Sequence, residues 1–365
     1  WQDRGARIVK RAELLGLITM DRRTVAVAGT HGKTTVSTML AHLLREGGVR
    51  CNAFLGGVSV NYRSNILLDN DAVVNVVEAD EYDRSFLQLR PSEAIITAMD
   101  PDHLDIYGTA EAMYEAYAQF AALCTGTVLA RRGLSGRLRH ANVKEYTLME
   151  PSDAYAMNVR VENSAYHFDL HARGVSIPGL TLGMPGRHNV ENAVAASTIA
   201  LELGVTPERL RQGLASFKGV ERRFDVRFKG TKSVYVDDYA HHPQELEAAI
   251  RSAREMYPGR SVTGIFQPHL FTRTRDFVDG FASALALLDE LILLEIYPAR
   301  EEPIEGINSA WLLERVPIAR KALVKKEDLL KELEGRGIDV LMTLGAGDID
   351  RSVPAIVNLL NQRER

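Results

Sequence analysis

One stretch of this sequence combines the residue types that bind phosphate. Two glycines, a lysine and several threonines follow the apolar residues 25–28 in the segment Gly29, Thr30, His31, Gly32, Lys33, Thr34 and Thr35. Glycines allow backbone N–H groups to curl around phosphate oxygens, and a helix that starts behind them adds the positive end of its dipole. In this chemistry Lys33 contacts the outer phosphates of a nucleotide, and the Thr34 hydroxyl binds Mg²⁺.

The spacing is a shortened form of the usual phosphate-loop pattern, because Val27 occupies the position of its first glycine. The context is the required one, since an apolar strand pattern precedes the loop and a helical pattern follows it. An ordinary strand-to-helix turn is the alternative. In both cases Lys33 is expected to be an exposed loop side chain that supports no core.

Acidic side chains follow two further apolar runs. Glu78 comes directly after residues 73–77, and His103 lies among acidic residues after the run 94–99. Ligands of open α/β sheets gather at the carboxyl ends of the strands, and Mg²⁺ prefers oxygen ligands that it shares with phosphates. Glu78 is therefore a candidate metal ligand, with a solvated acidic loop as the alternative. His103 alone fits a structural or surface histidine as well as a ligand.

The elements that must position these side chains alternate between strand and helix patterns, which predicts an α/β fold with a parallel sheet. A hairpin over residues 159–168 predicts a small antiparallel patch. Beyond residue 221 a second α/β unit is predicted, with strands near 234–236, 262–266, 291–296 and 340–344 and helices near 243–256, 276–288 and 326–334. We therefore predict a lead-in over residues 1–23, a P-loop central domain over 24–220 and a Rossmann-like domain over 221–365.

Composition restricts the classes of function. The chain has 365 residues and a net charge of −4, which implies no general affinity for nucleic acid. No apolar run approaches the roughly 18 residues of a membrane span. The two cysteines form no metal or disulfide pattern, so a reducing cytoplasm is the simplest setting. The oligomeric state is left open, and a homo-oligomer is compatible with the sequence.

Eight segments, in order along the chain, resemble motifs of the Mur ligase family. They are residues 29–35, 78–81, 102–105, 186–192, 221–224, 237–243, 266–274 and 345–349. Segment 266–274 is most similar to the branch that joins L-alanine to UDP-N-acetylmuramate in peptidoglycan precursor synthesis. The resemblance implies that ATP phosphorylates the lactyl carboxylate and that the amine of L-alanine attacks the acyl phosphate. A branch that attaches a recycled peptide to the same nucleotide sugar, and a non-catalytic ATP-binding scaffold, are the alternatives.

The resemblance also implies roles for individual residues. It implies that Lys33, Glu78 and His103 are catalytic and that Thr34, Glu78 and His103 bind Mg²⁺. The adenine-binding segment contains His188, Asn189 and Asn192, and contacts to the ATP ribose or phosphates come from Arg223 and Asp238. The pocket for L-alanine contains Tyr239, His241, His269 and Arg273. Asn189 could instead cap a helix, and His241 could instead belong to a surface loop without a role in binding.

Three departures from the family pattern stand out. No lysine occurs between His103 and Lys144, where many members carry a carbamylated one. Leu270 occupies a position that is arginine in some members, so the alanine pocket is expected to be assembled differently. The resemblance implies a first domain that holds the UDP group, and we expect that domain to be absent from this chain. Residues 1–23 are therefore interpreted as a linker from that missing domain.

Overall fold

The structure of the protein is a computed structural model that describes residues 8–20, 22–101 and 104–364. The chain forms two compact units. The first extends to Met184 and includes His188–Val220, and the second contains Pro185–Arg187 and Glu221–Arg365. The predicted α/β class is confirmed, since each unit has a sheet flanked by helices.

The helices and strands follow one another along the chain with these bounds. In the first unit they are α1 (Arg11–Met20), β1 (Arg23–Ala28), α2 (Lys33–Glu46), β2 (Cys51–Ser59), β3 (Ser64–Leu67), β4 (Val74–Glu78), β5 (Glu93–Ile96), α3 (Leu104–Tyr107), α4 (Ala110–Leu123), β6 (Val128–Arg131), β7 (Val143–Leu148), β8 (Ala154–Glu162), β9 (Ala165–Ala172), β10 (Val175–Leu182), α5 (Arg187–Glu202) and α6 (Pro207–Ser216). In the second they are β11 (Asp225–Lys229), β12 (Val234–Asp238), α7 (Pro243–Met256), β13 (Val262–Phe266), α8 (Phe271–Asp276), α9 (Val278–Leu285), β14 (Glu290–Leu293), α10 (Ser309–Arg315), β15 (Lys321–Leu323), α11 (Leu329–Glu334), β16 (Val340–Leu344) and α12 (Val353–Glu364).

The sheet of the first unit is organised around β1, which is completely buried from Thr24 to Ala28. This strand pairs in parallel with β4 on one side and with β5 on the other. The strand order of the ten-stranded sheet is β10-β9-β8-β7-β6-β5-β1-β4-β2-β3. The carboxyl ends of β1, β4 and β5 therefore lie side by side at one edge of the sheet.

The predicted small antiparallel patch is larger than expected and belongs to the main sheet. β8 pairs in parallel with β7, and β9 and β10 then continue the sheet antiparallel. The register of β10 shifts between Ile177 and Leu180, a stretch that contains Pro178 and Gly179. Arg211 of α6 donates hydrogen bonds to the carbonyl oxygens of Pro178 and Gly179, at 2.7 and 2.6 Å. A helix side chain thus covers backbone groups at the edge of the sheet.

The core on one face of this sheet packs α4 against the strands. Phe86 stacks on Phe120 with ring centroids 4.9 Å apart, and Tyr117 meets Phe86 edge-on at 5.3 Å. All three side chains are at most 1% exposed. Over the described part of the chain, none of the helices has the length and apolar character needed to cross a membrane.

The sheet of the second unit has six strands in the order β11-β12-β16-β13-β14-β15, all parallel except β11. The helix predicted over 276–288 corresponds to the shorter α9, and a further short helix that was not predicted, α8, precedes it. Two short helices, α8 and α9, meet at Phe277, whose φ of −117° and ψ of 22° interrupt the helical geometry. This break places α8 directly after the loop that follows β13.

Candidate active site

The loop from Gly29 to Thr35 joins the buried end of β1 to α2. Gly29 and Gly32 have φ values of 138° and 84°, which L-residues with side chains rarely adopt. A side chain at Gly29 would also overlap Thr97, whose hydroxyl donates to the carbonyl oxygens of Ala28, at 3.2 Å, and His31. Thr97 follows β5 and fixes the loop from the neighbouring strand. No role for Thr97 was predicted from the sequence.

The first part of the loop lies against the residues that follow β5. The Thr30 hydroxyl accepts a hydrogen bond from the backbone N–H of Asp100 at 3.1 Å. The Nε2 atom of His31 lies 4.0 Å from a carboxylate oxygen of the same aspartate. Thr35, at the other end of the loop, belongs to the first turn of α2 and is buried, with 6% of its surface exposed.

Lys33 contradicts the expectation of an exposed side chain. Its side chain is 14% exposed, and its ammonium donates to both carboxylate oxygens of Glu81, at 2.8 and 2.7 Å. A third hydrogen bond reaches the carbonyl oxygen of Gly29 at 2.6 Å. An ammonium group has three N–H donors, so these contacts use all of them. Glu81 lies in the segment 78–81, and no role was predicted for it from the sequence.

The Glu81 carboxylate is one of the most buried charged groups of the site, at 1% exposure. Burial raises the pKa of Glu81, and the charge of Lys33 and its hydrogen bonds oppose that rise. The backbone carbonyl of Glu81 accepts a hydrogen bond from the Tyr107 hydroxyl at 2.6 Å. Burial, followed by the charge of Glu81, raises the pKa of Tyr107 to about 12, so this hydroxyl stays protonated and keeps donating.

Two of the predicted metal ligands, Thr34 and Glu78, pack against the same dipeptide of β2. A side chain at Gly56 would overlap the Glu78 carboxylate, which accepts a hydrogen bond from the Gly56 N–H at 2.9 Å. A Cβ atom at Gly57 would lie 3.0 Å from the methyl group of Thr34. Adjacent glycines inside a strand mark such close approaches, and this signal could have been found from the sequence.

These groups fit a magnesium ion in their chemistry. Carboxylate and hydroxyl oxygens are ligands of the kind that Mg²⁺ prefers, and no cation among the described residues pairs with Glu78. The third predicted ligand, His103, lies outside the described residues. Within residues 8–20, 22–101 and 104–364, no group of three or more His, Cys, Asp and Glu side chains is arranged to hold a metal.

The segment predicted to bind adenine begins α5. Asn189 and Asn192 are buried, and the side-chain amide of Asn192 donates to the side-chain oxygen of Asn189 at 3.1 Å. His188 is exposed. A Cβ atom at Gly32 would lie 2.9 Å from the side-chain oxygen of Asn192. The fold therefore brings the start of α5 against the phosphate loop.

In the second unit, Asp238 lies at the carboxyl end of β12. Its carboxylate accepts hydrogen bonds from the backbone N–H groups of Phe224 and Ala240, both at 2.7 Å. Burial raises the pKa of Asp238 to about 6, and the charge of Arg223 opposes the rise. Arg222 and Phe224 have positive φ values of 60° and 47°, so the segment that carries Arg223 is held in a strained backbone conformation.

The four residues predicted to form the alanine pocket lie close together. The His241 ring meets the rings of Tyr239 and His269, with centroids 5.2 and 6.3 Å apart. Burial and then the Arg273 charge lower the pKa of His269 to about 4. Burial also lowers the pKa of His241, the Glu245 carboxylate opposes this change, and the Arg273 charge adds to it. Tyr297, which the sequence analysis missed, stacks on His269 at 5.8 Å.

Two features of this cluster leave groups available to a ligand. Among the described residues no carboxylate forms an ion pair with Arg273, and the Nδ1 atom of His269 is buried without a hydrogen-bond partner.

Leu270 has a φ of 72°, which is unusual for leucine, and its backbone N–H donates to the carbonyl of Tyr297 at 3.0 Å. The strained turn at Leu270 connects His269 to α8, which carries Arg273.

The chain thus has two α/β units, with the glycine loop 29–35 at the end of β1 in the first and the cluster of Tyr239, His241, His269 and Arg273 in the second. The chain matches the Mur ligase middle domain over residues 27–200 and the domain described as "Mur ligase, glutamate ligase domain" over residues 222–348. It belongs to the Mur ligase family.

Its relatives within that family are more specific. The chain is 50% identical to the UDP-N-acetylmuramate–L-alanine ligase of Parabacteroides distasonis, over 99% of this chain and 79% of that protein. It is 48% identical to the ligase of the same name from Phocaeicola vulgatus, over 100% of this chain and 80% of that protein. Among solved structures, the UDP-N-acetylmuramate–alanine ligase MurC of Thermotoga maritima matches with a TM-score of 0.80 and 26% identity, over 95% of this chain and 77% of that one.

Proposed function

We propose that this protein joins L-alanine to the lactyl carboxylate of UDP-N-acetylmuramate with hydrolysis of ATP, as a step of peptidoglycan precursor synthesis in the cytoplasm. The observation that carries the proposal is the identity of about half of all residues, over nearly the whole chain, with ligases of that name. The same identity favours this function over that of the peptide-attaching branch.

The chemistry explains why such a protein needs a phosphate loop. A carboxylate is a poor electrophile, so an oxygen of the lactyl carboxylate first attacks the γ-phosphorus of ATP, and ADP leaves. The amine of L-alanine then attacks the acyl carbon, phosphate leaves, and the amine loses a proton. Catalysis of these steps consists mainly of positioning and of stabilising charge on phosphoryl oxygens.

In this proposal the first unit binds Mg-ATP. Lys33 would contact the outer phosphates, and Thr34, Glu78 and His103 would hold a Mg²⁺ ion that screens the phosphate charge. The buried Asn192 supports this assignment because it lies against the phosphate loop. His188 and Asn189 precede it at the start of the same helix and are assigned to adenine. From the second unit, Arg223 and Asp238 are assigned to the ribose or the phosphates.

The amino acid is assigned to the cluster of Tyr239, His241, His269 and Arg273. Arg273 lacks a carboxylate partner among the described residues, and a guanidinium can bind a carboxylate through two parallel hydrogen bonds. The low pKa of His269, about 4, keeps its imidazole neutral at physiological pH. A neutral ring does not compete with Arg273 for the substrate carboxylate and can accept a hydrogen bond from the ammonium of L-alanine.

The deciding experiment measures phosphate release from ATP in the presence of UDP-N-acetylmuramate. L-alanine is compared with a tripeptide that begins with L-alanine and with no amine. Release that depends on L-alanine, together with formation of the amide product by mass spectrometry, supports the proposal. Release that depends on the tripeptide alone supports the peptide-attaching branch. ATP binding without release under any of these conditions supports a scaffold.

A further inference from the structure

The ion pair between Lys33 and Glu81 has a consequence for nucleotide binding. All three N–H donors of the Lys33 ammonium are used within the protein, two by Glu81 and one by the Gly29 carbonyl. A phosphate that binds in the loop therefore needs a donor that Glu81 already holds. We propose that Glu81 is a positioning residue that holds Lys33 in the loop and competes with the outer phosphates of the nucleotide for its ammonium. This inference rests on the proposed function of the loop.

The Glu81 carboxylate is fixed by its surroundings. Its backbone carbonyl accepts hydrogen bonds from the Tyr107 hydroxyl at 2.6 Å and from the backbone N–H of Arg84 at 2.9 Å. Asp83 and Arg84 follow with positive φ values of 53° and 54°, so the backbone directly after Glu81 is held in an unusual conformation. Because the backbone is held in this way and the side chain is 1% exposed, Glu81 cannot follow Lys33 toward a ligand.

Leaving this carboxylate unpaired is unfavourable, because a buried charge without a partner loses its hydration and gains nothing in return. Lys33 is therefore expected to share its donors between Glu81 and the phosphate rather than to move away. Sharing fixes the ammonium between two anions, which orients it for the transferred phosphoryl group. Sharing also lowers the affinity for ADP, because the Lys33 donors return to Glu81 when the product dissociates.

The test replaces Glu81 by glutamine, which is similar in size but carries no charge. ATP and ADP binding are measured by calorimetry, and kcat and KM for ATP are measured in the L-alanine-dependent reaction. Without its charge, residue 81 competes less with the phosphates for the Lys33 ammonium, so nucleotide binding is expected to tighten about ten-fold. Because the ammonium is then held less firmly, kcat is expected to fall at least about ten-fold. Glu81→Asp keeps the charge on a shorter side chain, so it should give smaller changes in both quantities.

Asp83→Asn is the matched control. It removes one negative charge two residues away, where the side chain is exposed, and asparagine tolerates the positive φ of that position. Its nucleotide affinity and kcat should stay within about two-fold of the wild type. A control that tightens binding as much as Glu81→Gln would show that only the overall negative charge matters, and would overturn the proposal.

A merely structural role predicts a different pattern. If Glu81 only supported the fold, Glu81→Gln would weaken nucleotide binding together with thermal stability, and that result, or unchanged binding, overturns the proposal. If Glu81→Gln fails to fold, the nucleotide affinity of Glu81→Asp decides the question. Tighter binding supports the proposal, and weaker or unchanged binding overturns it. Tighter binding in a protein without L-alanine-dependent phosphate release would uphold the role of Glu81 and reject the proposed function instead.

Discussion

Replacing Lys33 by alanine should destabilise the protein as well as abolish phosphoryl transfer. The substitution removes the only cation that the described residues place on Glu81, whose carboxylate is 1% exposed. Breaking a buried ion pair from one side typically costs about 3–5 kcal/mol. An exposed loop lysine would give a change within about 0.5 kcal/mol.

The magnitude has an upper limit that depends on pH. Glu81 can bind a proton instead of remaining charged, and an unfolded glutamate has a pKa of about 4.3. Protonation at pH 7 costs about 1.36 × (7 − 4.3), or roughly 3.7 kcal/mol, and at pH 5 only about 1 kcal/mol. Because Lys33 opposes the raised pKa of Glu81, its removal raises that pKa further. The folded variant then binds a proton more tightly than the unfolded chain, so its stability recovers as the pH falls.

Urea unfolding followed by circular dichroism at pH 5, 6, 7 and 8 measures this effect. Lys33→Ala should lose about 2–4 kcal/mol at pH 7 and about 1 kcal/mol at pH 5. Combining it with Glu81→Gln should restore most of the stability, since no buried charge is then left unpaired. Lys218→Ala, at an exposed position, is the control. A loss that is the same at every pH, or a double variant no more stable than Lys33→Ala, would refute the reasoning.

Three further predictions concern the rest of the site. Gly56→Ala should displace the Glu78 carboxylate and raise the Mg²⁺ concentration needed for half-maximal activity at least about ten-fold, measured by magnesium titration of the ligase reaction. Arg273→Ala should raise KM for L-alanine about ten-fold or more while KM for ATP changes little, because the guanidinium is assigned to the substrate carboxylate. The stability of the wild type relative to Asp238→Asn should fall as pH rises from about 4 to about 6, since the buried carboxyl has a folded pKa of about 6, above its unfolded value.

Each of these predictions has a control and a contradicting result. Gly136→Ala, at a position with nothing within 4 Å of the added Cβ, should leave the Mg²⁺ requirement unchanged. Arg275→Ala removes an exposed arginine from the same helix as Arg273, and equal effects of the two on KM would argue against a carboxylate clamp. A stability difference for Asp238→Asn that does not vary between pH 4 and 7 would contradict its raised pKa.

The edge of the sheet that carries the phosphate loop could be predicted from the sequence. The strands β1, β4 and β5 are continuous apolar runs because both faces of a parallel sheet are covered, and this pattern places Lys33 and Glu78 at neighbouring strand ends. The start of α6 at Pro207 also follows a rule that can be read from the sequence, because Thr206 caps the helix with its side chain accepting from the Arg209 N–H.

Other parts could not be predicted, because they depend on contacts between distant segments. Glu81 is 48 residues from Lys33, and no spacing rule relates a turn after β4 to the first residue of α2. β2 is a different case. It was not predicted because Gly56 and Gly57 weaken its strand pattern, although this glycine pair could have indicated the close approach of Glu78 and Thr34.

The register shift in β10 between Ile177 and Leu180 has a consequence for how the protein behaves in concentrated solution. An outermost strand with free N–H and C=O groups is a template on which another chain can add a strand and start aggregation. Pro178 has no N–H to offer, and the Arg211 guanidinium occupies the carbonyl oxygens of Pro178 and Gly179. The edge strand β10 is therefore protected at this point against the addition of a strand from another molecule.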